Sequence, residues 1–194
     1  MYYTDPESYL TRAEEQLASG DIASLFYAAF ELRCAVECRQ HEYLEAQESY
    51  RKSLPRSWKI GQQGKELQRI YERPEIQALN CKFKDGSNFI YTYVPVSEAL
   101  RGDAERFGNL LHAPSQERGQ SELEKIRSGL DLTAARLKEC LSGNLLSPVL
   151  LDPKTGQPLI GLIVKISKQE RGIYDKMSIG EELVVEVRYD ELTH

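Results

Sequence analysis

The sequence predicts an α+β protein: an antiparallel helical bundle interrupted by a β-hairpin and followed by a small C-terminal antiparallel sheet. Three observations carry that prediction. Apolar residues recur at helical spacing through most of the first 141 residues, the period shortens to strand-like alternation around "IQALNCKFKDGSNFIYTYVPV", and from Pro148 onward the chain reads as strands and turns. The division that follows is a helical domain over 1–145, with its hairpin at about 77–95, and a small β-rich region over 146–194.

Asp5-Pro6-Glu7 marks a helix start, with Asp5 as cap and Pro6 in the first turn, and Leu10, Ala13 and Leu17 continue one apolar stripe. Ser19-Gly20-Asp21 stops it. A second helix begins at Asp21, carrying Leu25, Ala29, Leu32, Val36, Tyr43 and Tyr50 on one face, widened by Ala28, Ala35 and Ala46. At about 1.5 Å per residue its thirty or so residues span about 45 Å, enough for the spine of a bundle. Leu54-Pro55 ends the spine, and a loop carrying Trp58 leads to a short basic helix closed before Pro74. Asp85-Gly86 between two β-prone runs signals a hairpin, and Pro95 makes its second strand an edge or ends it. Ser97 caps a helix running to about His112, which Ala113-Pro114 stops. Another helix follows from about Glu117 to Leu141 and ends at Gly143. Beyond it, "PVLLD" and "QPLIGLIVKIS" flank a turn at Asp152 to Gly156, and "ELVVEVRY" alternates like a strand; with the earlier hairpin these strands can build one small sheet.

At 194 residues the chain can bury roughly 70% of its unfolded surface, so a proper core is available. No apolar run approaches the ~20 residues of a spanning helix, and the opening "MYYTDPESYL" lacks the regions of a signal peptide. A cytoplasmic protein is expected, with Cys34, Cys38, Cys81 and Cys140 as reduced thiols. Net charge is -5 but unevenly spread: residues 1–50 hold three basic and ten acidic side chains, whereas residues 51–84 hold nine basic and three acidic. Within that basic island Arg51, Lys52, Arg56, Lys59, Lys65 and Arg69 are candidates to bind nucleic acid; the alternative is that the island docks on acidic helices of this chain or a partner.

The stretch "AEEQLASGDIASLFYAAFELRCAVECRQHEYLEA" resembles the first two helices of the HEPN superfamily of helical-bundle proteins, on Gly20-Asp21, Tyr27-Ala28-Ala29, Leu32, Ala35 and Glu37. The resemblance covers roughly residues 7–141, excluding the hairpin. Many members are metal-independent ribonucleases, of toxin or antiviral type, whose signature is an arginine followed after four to six residues by a histidine. Arg106 and His112 match that spacing, whereas Phe107 departs from the polar residue that active members carry after the arginine. The resemblance implies a homodimer with an RNA substrate, and neither cofactor nor metal.

Helical geometry adds an independent constraint. At about 100° per residue, Glu105, Asn109 and His112 share a stripe, and Arg106 stands about 120° from His112. A compact site of Arg106, Asn109 and His112 is therefore expected across a two-fold axis. There His112 would serve as acid or base toward an RNA 2′-hydroxyl, Arg106 as phosphate clamp and Asn109 as orienting group. The alternative is a non-catalytic interaction module that holds a protein partner, through its C-terminal strands, or a nucleic acid.

Two further patterns carry less. Cys34, Cys38 and His41 lie on one helix face at zinc-ligand spacing, but no second pair completes a set, and buried thiols are the expected fate. "GQQGKE", residues 61–66, has two residues between its glycines where a phosphate-binding loop needs four, and Glu66 where a magnesium-holding hydroxyl belongs. Arg33, Glu37 and Arg39 are expected to form a buried or interfacial polar network, with Arg33 and Glu37 a structural i, i+4 pair.

Overall fold

The computed structural model describes residues 3–48, 59–70, 76–112, 117–148 and 183–190. Helix α1 (Pro6–Ser19) starts as expected: the Asp5 carboxylate accepts from the Ser8 amide at 2.8 Å, and Pro6 fills the first turn, where a missing N–H does no harm. It ends at Gly20, whose φ of 81° is the left-handed cap that a side chain would resist. Asp21 then caps α2 (Ile22–Glu48), accepting from the Ser24 amide at 2.9 Å. The cap therefore precedes the helix by one residue, and the spine runs 27 residues. Leu25, Ala28, Ala29, Leu32, Ala35, Val36 and Tyr43 are all buried, as their spacing demands, whereas Tyr50 lies outside the described residues.

Helix α3 (Ile60–Ile70) crosses the second half of α2. The hairpin forms as predicted, with β1 (Ile76–Phe83) antiparallel to β2 (Asn88–Tyr93) and pairs such as Leu79 opposite Tyr91 and Cys81 opposite Phe89. Helix α4 (Glu98–Leu110) is capped by Ser97, and α5 (Gln120–Leu141) begins three residues later than expected because Gly119 is its cap. The last described strand, β3 (Leu183–Asp190), pairs antiparallel with β1, giving one sheet of order β2-β1-β3 among the described residues. The described part of the C-terminal region is thus built into the hairpin's own sheet, with β2 at its edge. The turn predicted at Asp152 to Gly156 and its flanking strands lie outside the described residues, as do Leu54-Pro55 and Trp58.

One core joins helices and sheet. Leu79, Cys81, Tyr91 and Tyr93 on the inner sheet face are buried with Leu32, Val36, Leu100, Leu130 and Leu137 of the helices. At the joint, the Tyr43 ring of α2 tilts against Tyr93, centroids 5.2 Å apart, and its hydroxyl donates to the Val94 carbonyl. Arg39, fully buried one turn earlier, donates to the Gly143 carbonyl at 2.6 Å and to Glu42 at 2.9 Å, with its guanidinium over the Tyr43 ring. A cation here meets the negative end of α5. Beside it the Leu145 amide donates to the Thr92 carbonyl at 3.0 Å, and Asn144 accepts from the Thr92 amide at 2.8 Å. Among the described residues no helix is long and apolar enough to cross a membrane.

Candidate functional site

Helix α4 carries all three predicted catalytic residues at or beyond its last turns. Its inner face is set by Leu100, Ala104 and Phe107, each buried in the common core. Phe107, the departure from the family pattern, is therefore a packing residue. Outward lies the stripe of Glu98, Gly102, Glu105 and Asn109, all exposed, and it points toward the exposed His112 just past the helix end. The His112 amide reaches back to the Asn109 carbonyl at 3.4 Å, a weak closing turn.

Arg106 faces elsewhere. Its guanidinium, 64% exposed, pairs with Asp103, a buried carboxylate that also accepts from Arg136 of α5 at 2.6 Å and from the Thr133 hydroxyl at 3.1 Å. Sequence reasoning missed Asp103, because an acidic residue in a helix defaults to a solvated face; the signal was its spacing from buried Leu100 and Phe107. The pairing aims Arg106 toward α5. Within one chain, then, the structure brings Asn109 and His112 to one stripe and holds Arg106 off it.

His112 borders an open apolar groove of about 580 Å³, shared with Ile22 and Phe26 of α2, Leu110 and Leu111 at the end of α4, and Arg118 and Leu123 near the start of α5. Arg118 covers the Phe26 ring at 5.0 Å, a cation–π contact. Ile22 and Leu111 stand exposed at its rim, by 55% and 41%.

A larger hollow of about 710 Å³ opens where α2, α3 and α4 meet, walled by the cations Arg33, Lys59, Lys65 and Arg101 and by Glu98 and Glu105. Glycines let the helices approach there. A Cβ at Gly64 would fall 2.5 Å from Arg101 Cδ, and one at Gly108 would collide with the Arg33 guanidinium. The two glycines of "GQQGKE" thus sit inside α3 as helix-packing positions, the physical reason that this stretch is no phosphate loop. Burial pulls the Arg101 guanidinium below its usual range, against the pull of Glu98 and Glu105. Arg101 donates to the Val96 carbonyl at 3.0 Å, and neither it nor Arg33 nor Lys65 pairs with a carboxylate among the described residues.

The basic island divides accordingly. Lys59 and Lys65 line the hollow, Arg69 pairs with Glu66 at 2.9 Å, and Lys82 pairs with Glu186 of β3 at 2.9 Å; Arg51, Lys52 and Arg56 lie outside the described residues. Sequence reasoning assigned Arg33 and Arg39 to one network with Glu37. The structure separates them, Arg33 to the hollow and Arg39 to the core, and burial pushes the Glu37 carboxyl up against the pull of Arg33. Cys34 and His41 do not converge on a common centre: burial and the Glu37 charge push the Cys34 thiol up to about 11, Cys38 donates to the Thr4 carbonyl, and His41 meets Glu45 at 3.1 Å. Among the described residues no three His, Cys, Asp or Glu side chains gather as metal ligands. Comparison with known proteins finds no matching family model, curated protein or solved structure.

Proposed function

We propose that this chain is a metal-independent endoribonuclease of the HEPN type, in which two bundles pair and His112 acts as the acid or base on an RNA 2′-hydroxyl or leaving oxygen. The observation that carries this reading is the exposure of His112 and Asn109 on one stripe of α4, open to solvent and to a second chain. An imidazole that moves a proton must be reachable by the bond it breaks. Arg106 would clamp the phosphate from the facing bundle, using the guanidinium donors that its Asp103 pairing leaves toward solvent, since 64% of the side chain is exposed. The exposed Ile22 and Leu111 beside His112 offer apolar surface for that pairing.

One observation favours a second reading, a non-catalytic module that binds a partner or nucleic acid. Among the described residues Arg106 does not line the groove that His112 borders, and it already answers Asp103. The two readings part on His112→Ala, whose exposed position leaves folding intact. Cleavage of single-stranded RNA should fall at least about a hundredfold, with the same loss of any growth arrest on expression. Unchanged cleavage, or none by the unaltered chain at any concentration that supports dimers, leaves the binding module.

A further inference from the structure

We infer that the open face along α2 and α4 is a track for a single strand of RNA, with Arg33, Lys65 and Arg101 holding its phosphates and Phe30 stacking one of its bases. The inference deepens the ribonuclease reading and rests on it only for what happens at His112; the binding itself does not depend on cleavage.

Charge is the first argument. A chain of net charge -5 gathers four cations and two carboxylates around one hollow, and three of those cations, Arg33, Lys65 and Arg101, have no carboxylate at ion-pair distance among the described residues. Unpaired cations in a concave wall focus the field on an anion of matching size. Arg33 and Arg101 in particular offer forked donors suited to phosphate oxygens.

Alignment is the second. The α4 residues that wall the hollow, Glu98, Arg101 and Glu105, belong to the stripe that continues through Asn109 to His112. From Arg101 to His112 the rise is about 16 Å, roughly five nucleotides at the stacked spacing of a strand. Across the seam on α2, Ile22, Phe26, Phe30 and Arg33 fall within about 80° of one another. Ile22 and Phe26 border the groove beside His112, and Arg33 borders the hollow, so Phe30, 45% exposed, lies between them.

Cations following a backbone, interleaved with an exposed ring, are how proteins hold single strands. The two carboxylates oppose a dense duplex charge but can accept from base amino groups and ribose hydroxyls of a splayed strand. A duplex, whose bases are already stacked, has no use for Phe30. The strand is therefore the favoured occupant.

The test is fluorescence anisotropy of the full chain with a 12-nucleotide single-stranded RNA whose 2′-hydroxyls are methylated, so that nothing is cleaved. Arg33→Glu with Lys65→Glu should weaken binding at least tenfold and make the salt slope of log K shallower by about 1.4, two phosphate contacts' worth. Phe30→Ala should weaken it about fivefold or more. The same charge reversal on α5, Lys125→Glu with Lys138→Glu, controls for net charge and should leave the slope in place. Three results would overturn the track: an affinity indifferent to the Arg33 and Lys65 reversal, a duplex that binds as tightly as the strand, or a mononucleotide that matches the oligonucleotide. If cleavage needs His112 while that reversal changes nothing, the nuclease stands and the track falls; if the reversal weakens binding in a chain that never cleaves, the track stands alone.

Discussion

Arg33 and Arg39 sit on the same helix fewer than two turns apart and have opposite fates. Around Arg39 nearly everything is committed: its terminal nitrogens donate to Glu42 at 2.9 Å, to the Gly143 carbonyl at 2.6 Å and to the Cys140 carbonyl at 3.5 Å, the guanidinium lies over the Tyr43 ring, and only the buried Nε is left without an acceptor. Around Arg33 less is committed, since the guanidinium lies beside Gly108 and opens on the hollow, with Glu37 pulling on it but no carboxylate at ion-pair distance among the described residues. Burying a cation is tolerable only when most of its donors are satisfied, whereas a cation in a solvated hollow with donors to spare can be satisfied by a ligand. The sheet-side joint is therefore a place where polar groups hold the fold, and the α2–α4 face is one where they wait.

The comparison breaks most visibly at Arg39. Replacing Arg39 with Ala removes a fully buried side chain and strands the Gly143 carbonyl, so urea unfolding should show a loss of about 3 kcal/mol or more. Arg33→Ala should change stability by less than about 1 kcal/mol. Equal losses would mean that Arg33 is as structural as Arg39, and the distinction between the regions would go.

One substitution made in both regions sharpens the contrast. At Gly143 an added Cβ would meet the Thr92 carbonyl oxygen and the Val94 amide, each at 2.9 Å, and neither can yield without moving the sheet edge. Gly143→Ala should therefore destabilise by about 2 kcal/mol. At Gly108 the obstacle is the end of the Arg33 side chain, which can swing away, and alanine favours the helix. Gly108→Ala should leave stability unchanged or raise it by up to about 1 kcal/mol, with thermal unfolding midpoints moving in opposite senses for the two variants.

What could be seen in advance follows the same line between local and non-local. The helices were legible because Leu25, Leu32, Val36 and Tyr43 repeat at 3.6 residues, and the hairpin because Asp85-Gly86 separates two alternating runs. That "ELVVEVRY" is a strand was legible too, but its pairing with β1, about 100 residues away in sequence, leaves no local trace. The stripe of Asn109 and His112 followed from helical angles alone. The hollow did not: Arg33, Lys65 and Arg101 come from three helices, and only packing through Gly64 and Gly108 brings them together. Asp103 was missed because a charged residue in an amphipathic helix reads as solvated unless its partners are known, whereas Arg39 was expected in a polar network and differs only in its partners, Glu42 and the Gly143 carbonyl in place of Glu37 and Arg33.

The smallest expected effect tests whether the open face begins as a well-ordered helix end. Asp21 caps α2 next to the exposed Ile22, and the hydrogen bonds from the Ser24 hydroxyl and amide, with one from Ser19, hold its carboxyl below the ordinary aspartate range. A carboxyl whose folded pKa is depressed stabilises fully above its unfolded value and loses that contribution as pH falls through the folded one. The unaltered chain should therefore lead Asp21→Ala in thermal stability at neutral pH, and the gap should shrink once pH falls below about 3.8, with no change in the opposite direction. Asp21→Asn, which keeps an acceptor without a titrating charge, should show a gap to Asp21→Ala that does not narrow with acid. If the acid dependence persists in Asp21→Asn, another carboxylate governs it, and the start of α2 is held by packing around Phe26 more than by its cap.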